Sequence, residues 1–111
     1  MSNEITRENL RARMSSPTPP LIVEALPVAS FVSGHLPGAV NLPLDELTED
    51  TLARVLPDAD AEIVVYGSSS TYNNSHVAGR KLESLGYRNV SVYRGGKVDW
   101  KMAGLSLEVT S

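Results

Sequence analysis

Ile63-Val64-Val65-Tyr66-Gly67-Ser68-Ser69-Ser70-Thr71-Tyr72-Asn73-Asn74-Ser75 is the stretch on which the fold turns. Its first four residues are β-branched or aromatic and show no polar alternation. That predicts a central strand covered on both faces. Gly67 to Asn74 include no aliphatic side chain, so this segment has nothing with which to build a core element. From Ser75 to Leu85 the spacing of Val77, Ala78, Leu82 and Leu85 predicts a helix, with Gly86 where a left-handed C-cap belongs. Buried strand, polar loop and helix in that order make the repeating unit of a parallel α/β sheet.

Neighbouring segments extend the pattern. Asn89 to Tyr93 reads as another strand, broken by Gly95-Gly96, and Val98 to Ala103 as a final helical turn or two before Gly104. Upstream, apolar residues at Leu44, Leu47, Leu52 and Val55/Leu56 predict one helix over 44–56, with Asp45, Glu46, Glu49 and Asp50 on a solvated face. Leu21-Ile22-Val23 reads as a buried strand between Pro20 and Pro27. Pro27 to Phe31 has room for one helical turn, Gly34 to Ala39 is a turn, and Val40-Asn41-Leu42 is a short strand halted by Pro43. Ile5 to Met14 reads as a short helix with Thr6 as N-cap. Ser15 to Pro20 holds three prolines and is a stiff connection. The expectation is one domain over residues 1–111. Residues 1–20 form its leading helix and Pro-rich connection, and 21–107 its core. The architecture expected is an α/β sandwich around a mainly parallel sheet.

Composition narrows the function classes. At 111 residues the chain suits a single core. Ten basic and thirteen acidic residues give a formal charge of −3, and no Lys/Arg cluster exists to follow a phosphate backbone. Nucleic acid is therefore not an expected partner. No apolar run approaches the 18 or so residues of a membrane span, so neither is a membrane. Met1 to Leu10 is polar, with Glu4, Arg7 and Glu8, and lacks the apolar stretch of a secretory signal; a soluble, cytoplasmic protein is expected. Cysteine is absent. That excludes a disulfide framework, a Cys-ligated metal and a thiol nucleophile.

Two segments could carry chemistry. Ligands of open α/β sheets bind beyond the carboxyl ends of strands, and a helix N-terminus presents unpaired N–H groups to anions. Gly67, Ser68, Ser69, Ser70, Thr71, Tyr72, Asn73, Asn74 and Ser75 therefore form a candidate anion-binding loop. The plain reading is equally available, since hydroxyl and amide residues populate any exposed loop and Asn74 or Ser75 can serve only as an N-cap. The loop lacks the Gly-Lys-Ser/Thr ending of a P-loop, and Arg80 and Lys81 lie far enough into the helix to face solvent. The second segment is Gly34-His35-Leu36-Pro37-Gly38-Ala39, in which His35 reads as a histidine bonding backbone more readily than as an acid–base group. His35 and His76 are the only histidines, which argues against a metal site. A triad can be drawn from Ser68–Ser70, His35 or His76, and Asp45 or Asp99, but no nucleophile-elbow pattern supports it. Trp100, Tyr87 and Leu85 read as core residues.

Taken together, the segments resemble the rhodanese-like domains. Leu21-Ile22-Val23-Glu24 looks like the family's first strand, which usually ends in Asp. Gly34-His35-Leu36-Pro37-Gly38-Ala39-Val40-Asn41-Leu42-Pro43 is close to its G-H-[IL]-P-G-A-x-N-[IL]-P signature. Leu85-Gly86-Tyr87-Arg88-Asn89-Val90 is similar to L-G-[YF]-x-[ND]-V. Tyr93-Arg94-Gly95-Gly96-Lys97-Val98-Asp99-Trp100 and Ala103-Gly104-Leu105 resemble the G-G-x-x-x-W and A-G-L/Y-P ending. The resemblance runs from Leu21 to Leu107.

It implies a three-layer α/β sandwich with a five-stranded, mainly parallel sheet. It also implies sulfurtransferase chemistry on a cysteine that directly follows the strand Ile63-Val64-Val65-Tyr66. Gly67 stands at that place. The loop is also about two positions longer than the commonest family form, and Tyr72 stands where a subgroup carries a second cysteine. Glu24 and Leu26 replace the Asp-x-Arg pattern after the first strand, and the loop has no basic residue. Sulfane transfer needs a soft anionic nucleophile, which a serine hydroxyl is not. The resemblance therefore implies an inactive relative that binds or regulates a protein partner. Small-anion binding through loop 67–75 is the alternative, with Glu24 and His35 in support, and a divergent hydrolase or sulfurtransferase-related enzyme is a third reading. No cofactor or metal is implied.

Overall fold

A computed structural model describes residues 3–110. In chain order its elements are β1 (Asn3–Glu4), α1 (Arg7–Met14), β2 (Leu21–Glu24), α2 (Val28–Ser33), β3 (Val40–Asn41), a 3-10 turn (Leu44–Glu46) and α3 (Glu49–Val55). They continue with β4 (Ile63–Tyr66), α4 (Asn74–Ser84), β5 (Val90–Tyr93) and α5 (Gly96–Met102). The sheet order is β1-β5-β4-β2-β3, with every pair parallel. This is the expected α/β fold with a five-stranded parallel sheet and flanking helices.

β4 lies at the centre because it has no polar face to leave in water: all four of its side chains are fully buried. Strand alternation then sorts the core into two layers. Ile63 and Val65 of β4, Val23 of β2, and Val90 and Val92 of β5 pack with Leu52 and Leu56 of the α3 region and Ala78 and Leu82 of α4. Ile22, Val64, Tyr66 and Tyr93 point the other way, onto Leu10 of α1 and Trp100 of α5. Trp100 and Tyr87 are buried, and Leu85 packs on the first cluster.

Four details differ from the sequence-based expectation. The single helix over 44–56 is broken, because the Thr48 hydroxyl accepts a hydrogen bond from Thr51 N at 3.3 Å and starts α3 there. Leu47 and Leu52 are buried on either side of the break, so the apolar spacing survives without a continuous helix. The fifth strand is β1, whose Asn3 and Glu4 pair with Ser91 and Val92; two exposed polar residues give no strand signal. Val77 is exposed, and Gly79 takes a buried place on α4. The ends of α2, α4 and α5 also shift by one or two residues. Thr6 caps α1 as expected, accepting from Asn9 N at 3.1 Å. Among the described residues, no helix is long and apolar enough to cross a membrane.

Candidate functional site

Gly67 leaves the carboxyl end of β4 and is buried, while Ser70 to Asn73 stand in solvent. The chain turns on Ser69, whose carbonyl accepts from Tyr72 N at 3.3 Å and whose hydroxyl accepts from Thr71 N at 3.3 Å. It enters α4 at Asn74, and Ser75 is 2% exposed. No side chain caps this helix start, and its first turn carries no acid. A Cβ at position 67 would meet Asn74 Cβ at 3.3 Å and Ser75 N at 3.6 Å. Position 67 therefore faces the amino end of α4, where backbone N–H groups favour negative charge.

The opposite side of the loop is held by α5. Lys97 N donates to Gly67 O at 3.2 Å, and Val98 N to Ser68 O at 2.9 Å. This contact depends on Gly96, whose φ of +64° is a left-handed conformation. A Cβ there would lie 2.5 Å from Gly67 O and 2.9 Å from Ser68 O. Glycine is required on both counts.

A buried polar network lies at the base of the loop. Glu24 ends β2 with no exposed surface. Its Oε1 accepts from the Tyr66 hydroxyl at 2.6 Å, and that hydroxyl accepts from Leu36 N at 3.0 Å. Glu24 Oε2 faces Lys97 Nζ at 3.0 Å as an ion pair, outside hydrogen-bond geometry. The same ammonium donates to Ser30 O at 2.7 Å. Burial, and then the bond to Glu24, push the Tyr66 hydroxyl far above its ordinary pKa. The residue preceding Gly67 is thereby tied to β2, α5 and the turn after α2.

His35 belongs to a different part of the fold. Its Nδ1 donates to Phe31 O at 2.9 Å, its ring stacks on Phe31 at 3.9 Å, and Nε2 lies 3.8 Å from Glu108 Oε1. Antiparallel backbone bonds between His35 and Glu108 fasten the C-terminal tail to this turn. His76 pairs with Glu4 at 3.1 Å, and Asp99 with Arg7 at 2.9 Å and with the Tyr93 hydroxyl. Each member of the paper triad other than the serines and Asp45 is thus committed elsewhere. Arg80 and Lys81 are exposed.

Loop 67–75 comes together as one concave segment, with Glu24 beneath its first residue and His35 serving the neighbouring turn. Sequence reasoning missed Tyr66 and Lys97 as parts of this site. Gly96 was signalled by the double glycine. Lys97 had no such signal, because its partner Glu24 is remote in sequence. The chain has no cysteine.

Residues 6–103 match the family model described as Rhodanese-like domain. A sulfurtransferase of Allochromatium vinosum is 31% identical over 107 residues, covering 96% of this chain and 95% of the relative. An HTH-type transcriptional regulator of Mycobacterium tuberculosis is 34% identical over 104 residues, and the chain spans only 44% of its length. Among solved structures, a thiosulfate sulfurtransferase from Pseudomonas aeruginosa superposes with a TM-score of 0.82 at 30% identity. That match covers 97% of this chain and 20% of the other.

Proposed function

Because the chain belongs to the rhodanese-like domain family, we propose that it is a non-catalytic member, a protein-binding or regulatory module built on the sulfurtransferase scaffold. One observation carries this reading: Gly67 directly follows β4, where the family resemblance puts the sulfur-accepting cysteine, and the chain has no cysteine. Glycine offers no nucleophile, and the hydroxyls of Ser68 to Thr71 are too hard and too weakly acidic to accept sulfane sulfur. Around position 67 the α5 amides still hold the loop, and the Glu24–Tyr66 network lies at its base. The regulator from Mycobacterium tuberculosis, in which the matching segment is part of a longer chain, supports a regulatory module.

A second reading has its own observation. The uncapped, acid-free start of α4 faces position 67, with Ser75 N only 3.6 Å from where a Cβ would sit. A sulfate, phosphate or thiosulfate ion suits that cradle.

A thiosulfate:cyanide sulfurtransferase assay on the protein and on Gly67→Cys tests both readings. The unaltered protein is expected to show no turnover, and turnover would overturn the proposal. Activity in Gly67→Cys favours the anion-cradle reading. Silence in both, with no calorimetric heat from millimolar thiosulfate, leaves the protein-binding reading.

A further inference from the structure

A groove of about 300 Å³ separates α2 from α5 and opens beside Ser68. It is distinct from the cradle at position 67, sharing only Ser68 with the loop. Its walls are apolar where Leu26, Val98 and Leu107 line it, and hydroxylic where Ser30, Ser33 and Ser68 do. Two lysines one helical turn apart, Lys97 and Lys101, stand on its α5 side, and no acidic side chain lines it. Their charges are unequal in availability. Lys97 is offset by the buried Glu24. The Lys101 ammonium has no ion-pair partner among the described residues and lies in solvent at the rim. A groove with apolar walls and a free cation, on a chain of net charge −3, selects one ligand class by charge and surface together.

We infer that this groove binds a small organic monoanion, a carboxylate or sulfonate on a compact apolar body. The head group pairs with Lys101 and accepts from the Ser30 and Ser68 hydroxyls, the Ser33 hydroxyl being engaged by Ser30 O at 3.0 Å, while the body displaces water from Leu26, Val98 and Leu107. Leu107 is positioned for this by the tail's anchorage at Glu108, whose backbone N donates to His35 O at 2.8 Å. The inference does not depend on whether the loop cradle takes an inorganic anion.

Titration of the isotope-labelled protein with benzoate and with butanesulfonate, followed by amide chemical shifts, tests it. Saturable shifts are expected at Lys97, Val98, Lys101 and Leu107, with a dissociation constant of about 1–10 mM for so few ligand atoms. Lys101→Gln is expected to weaken binding about fivefold, the scale of one exposed charge pair, and Lys101→Arg to restore it. Sulfate or benzyl alcohol shifting the same amides as strongly would overturn the inference, because it requires both the charge and the apolar body. Shifts confined to Gly67, Asn74 and Ser75, no saturation by about 50 mM, or an undiminished Lys101→Gln would overturn it as well.

Discussion

Gly67 occupies backbone space that a side chain can share. Its φ lies outside the left-handed region, and the tightest approach to a Cβ there is Asn74 Cβ at 3.3 Å. Gly67→Cys therefore folds with a shift of a few tenths of an ångström. Its thiol, facing the start of α4, is expected to titrate at about 7 or below, against an ordinary 8.5. The pH dependence of alkylation by iodoacetamide reads this directly, and a midpoint at 8.5 or higher would show that the helix start does not reach position 67. Gly96 is the opposite case. Gly96→Ala combines a left-handed φ with a 2.5 Å approach to Gly67 O, and is expected to cost about 3 kcal/mol or more in urea unfolding. Gly104 has a φ of +81° with open space around it, so Gly104→Ala should cost only about 1 kcal/mol. Equal costs would mean that the contact between α5 and the loop is not as close as described. At this scale the sequence was readable where it broke a familiar pattern, as at Gly67. It was silent on Lys97, because an ion pair between distant residues leaves no local mark.

Helix α3 exists because of a side chain that also ends the preceding turn. Thr48 accepts from Thr51 N, and Leu47 adopts a non-helical φ of −81° and ψ of 71° just before it. Thr48→Ala removes the cap and is expected to lower stability by about 1 kcal/mol, while Thr48→Ser retains it. Urea midpoints of the two variants give the comparison; an alanine variant as stable as the serine one would assign the break to Leu47 alone. This element also shows why apolar spacing is an incomplete guide. Leu44, Leu47 and Leu52 face the core through a 3-10 turn, a link and an α-helix much as they would through one helix. Hydrophobic periodicity reports which residues are inside, and capping decides where the backbone changes form. β4 was legible because burial on both faces leaves an unbroken apolar run. β1 was not, because two residues on a sheet edge bury nothing that could write a pattern.

Across the whole molecule, three buried tyrosines spend their hydroxyls on partners inside the fold. Tyr66 bridges Glu24 of β2 and the Leu36 amide, Tyr87 donates to Leu52 O at 3.2 Å and to Leu56 O, and Tyr93 donates to Asp99 beside Arg7. Burial raises the pKa of all three above 10, before any effect of the neighbouring carboxylates on Tyr66 and Tyr93. The family resemblance made the five-stranded parallel sheet legible, but it gave no sign that stability at high pH would rest on these groups. In the unfolded chain each tyrosine ionises near its ordinary value of about 10. Above that pH the unfolded state holds fewer protons than the native state, so stability falls as pH rises. The stabilisation is complete below about pH 10 and is lost progressively as pH climbs toward the raised native values, by about 1.4 kcal/mol per pH unit for each tyrosine that stays protonated. Tyr66→Phe makes the test specific. At pH 8 it should be less stable than the unaltered protein by about 2 kcal/mol, because Glu24 and the Leu36 amide lose a buried partner. Between pH 10 and 11 its stability should fall less steeply, by the slope of one proton. Urea unfolding across that range measures both quantities. Parallel slopes for the two proteins would mean that Tyr66 is not held protonated by its burial, and the network beneath the loop would then lose its claim to fix the end of β4.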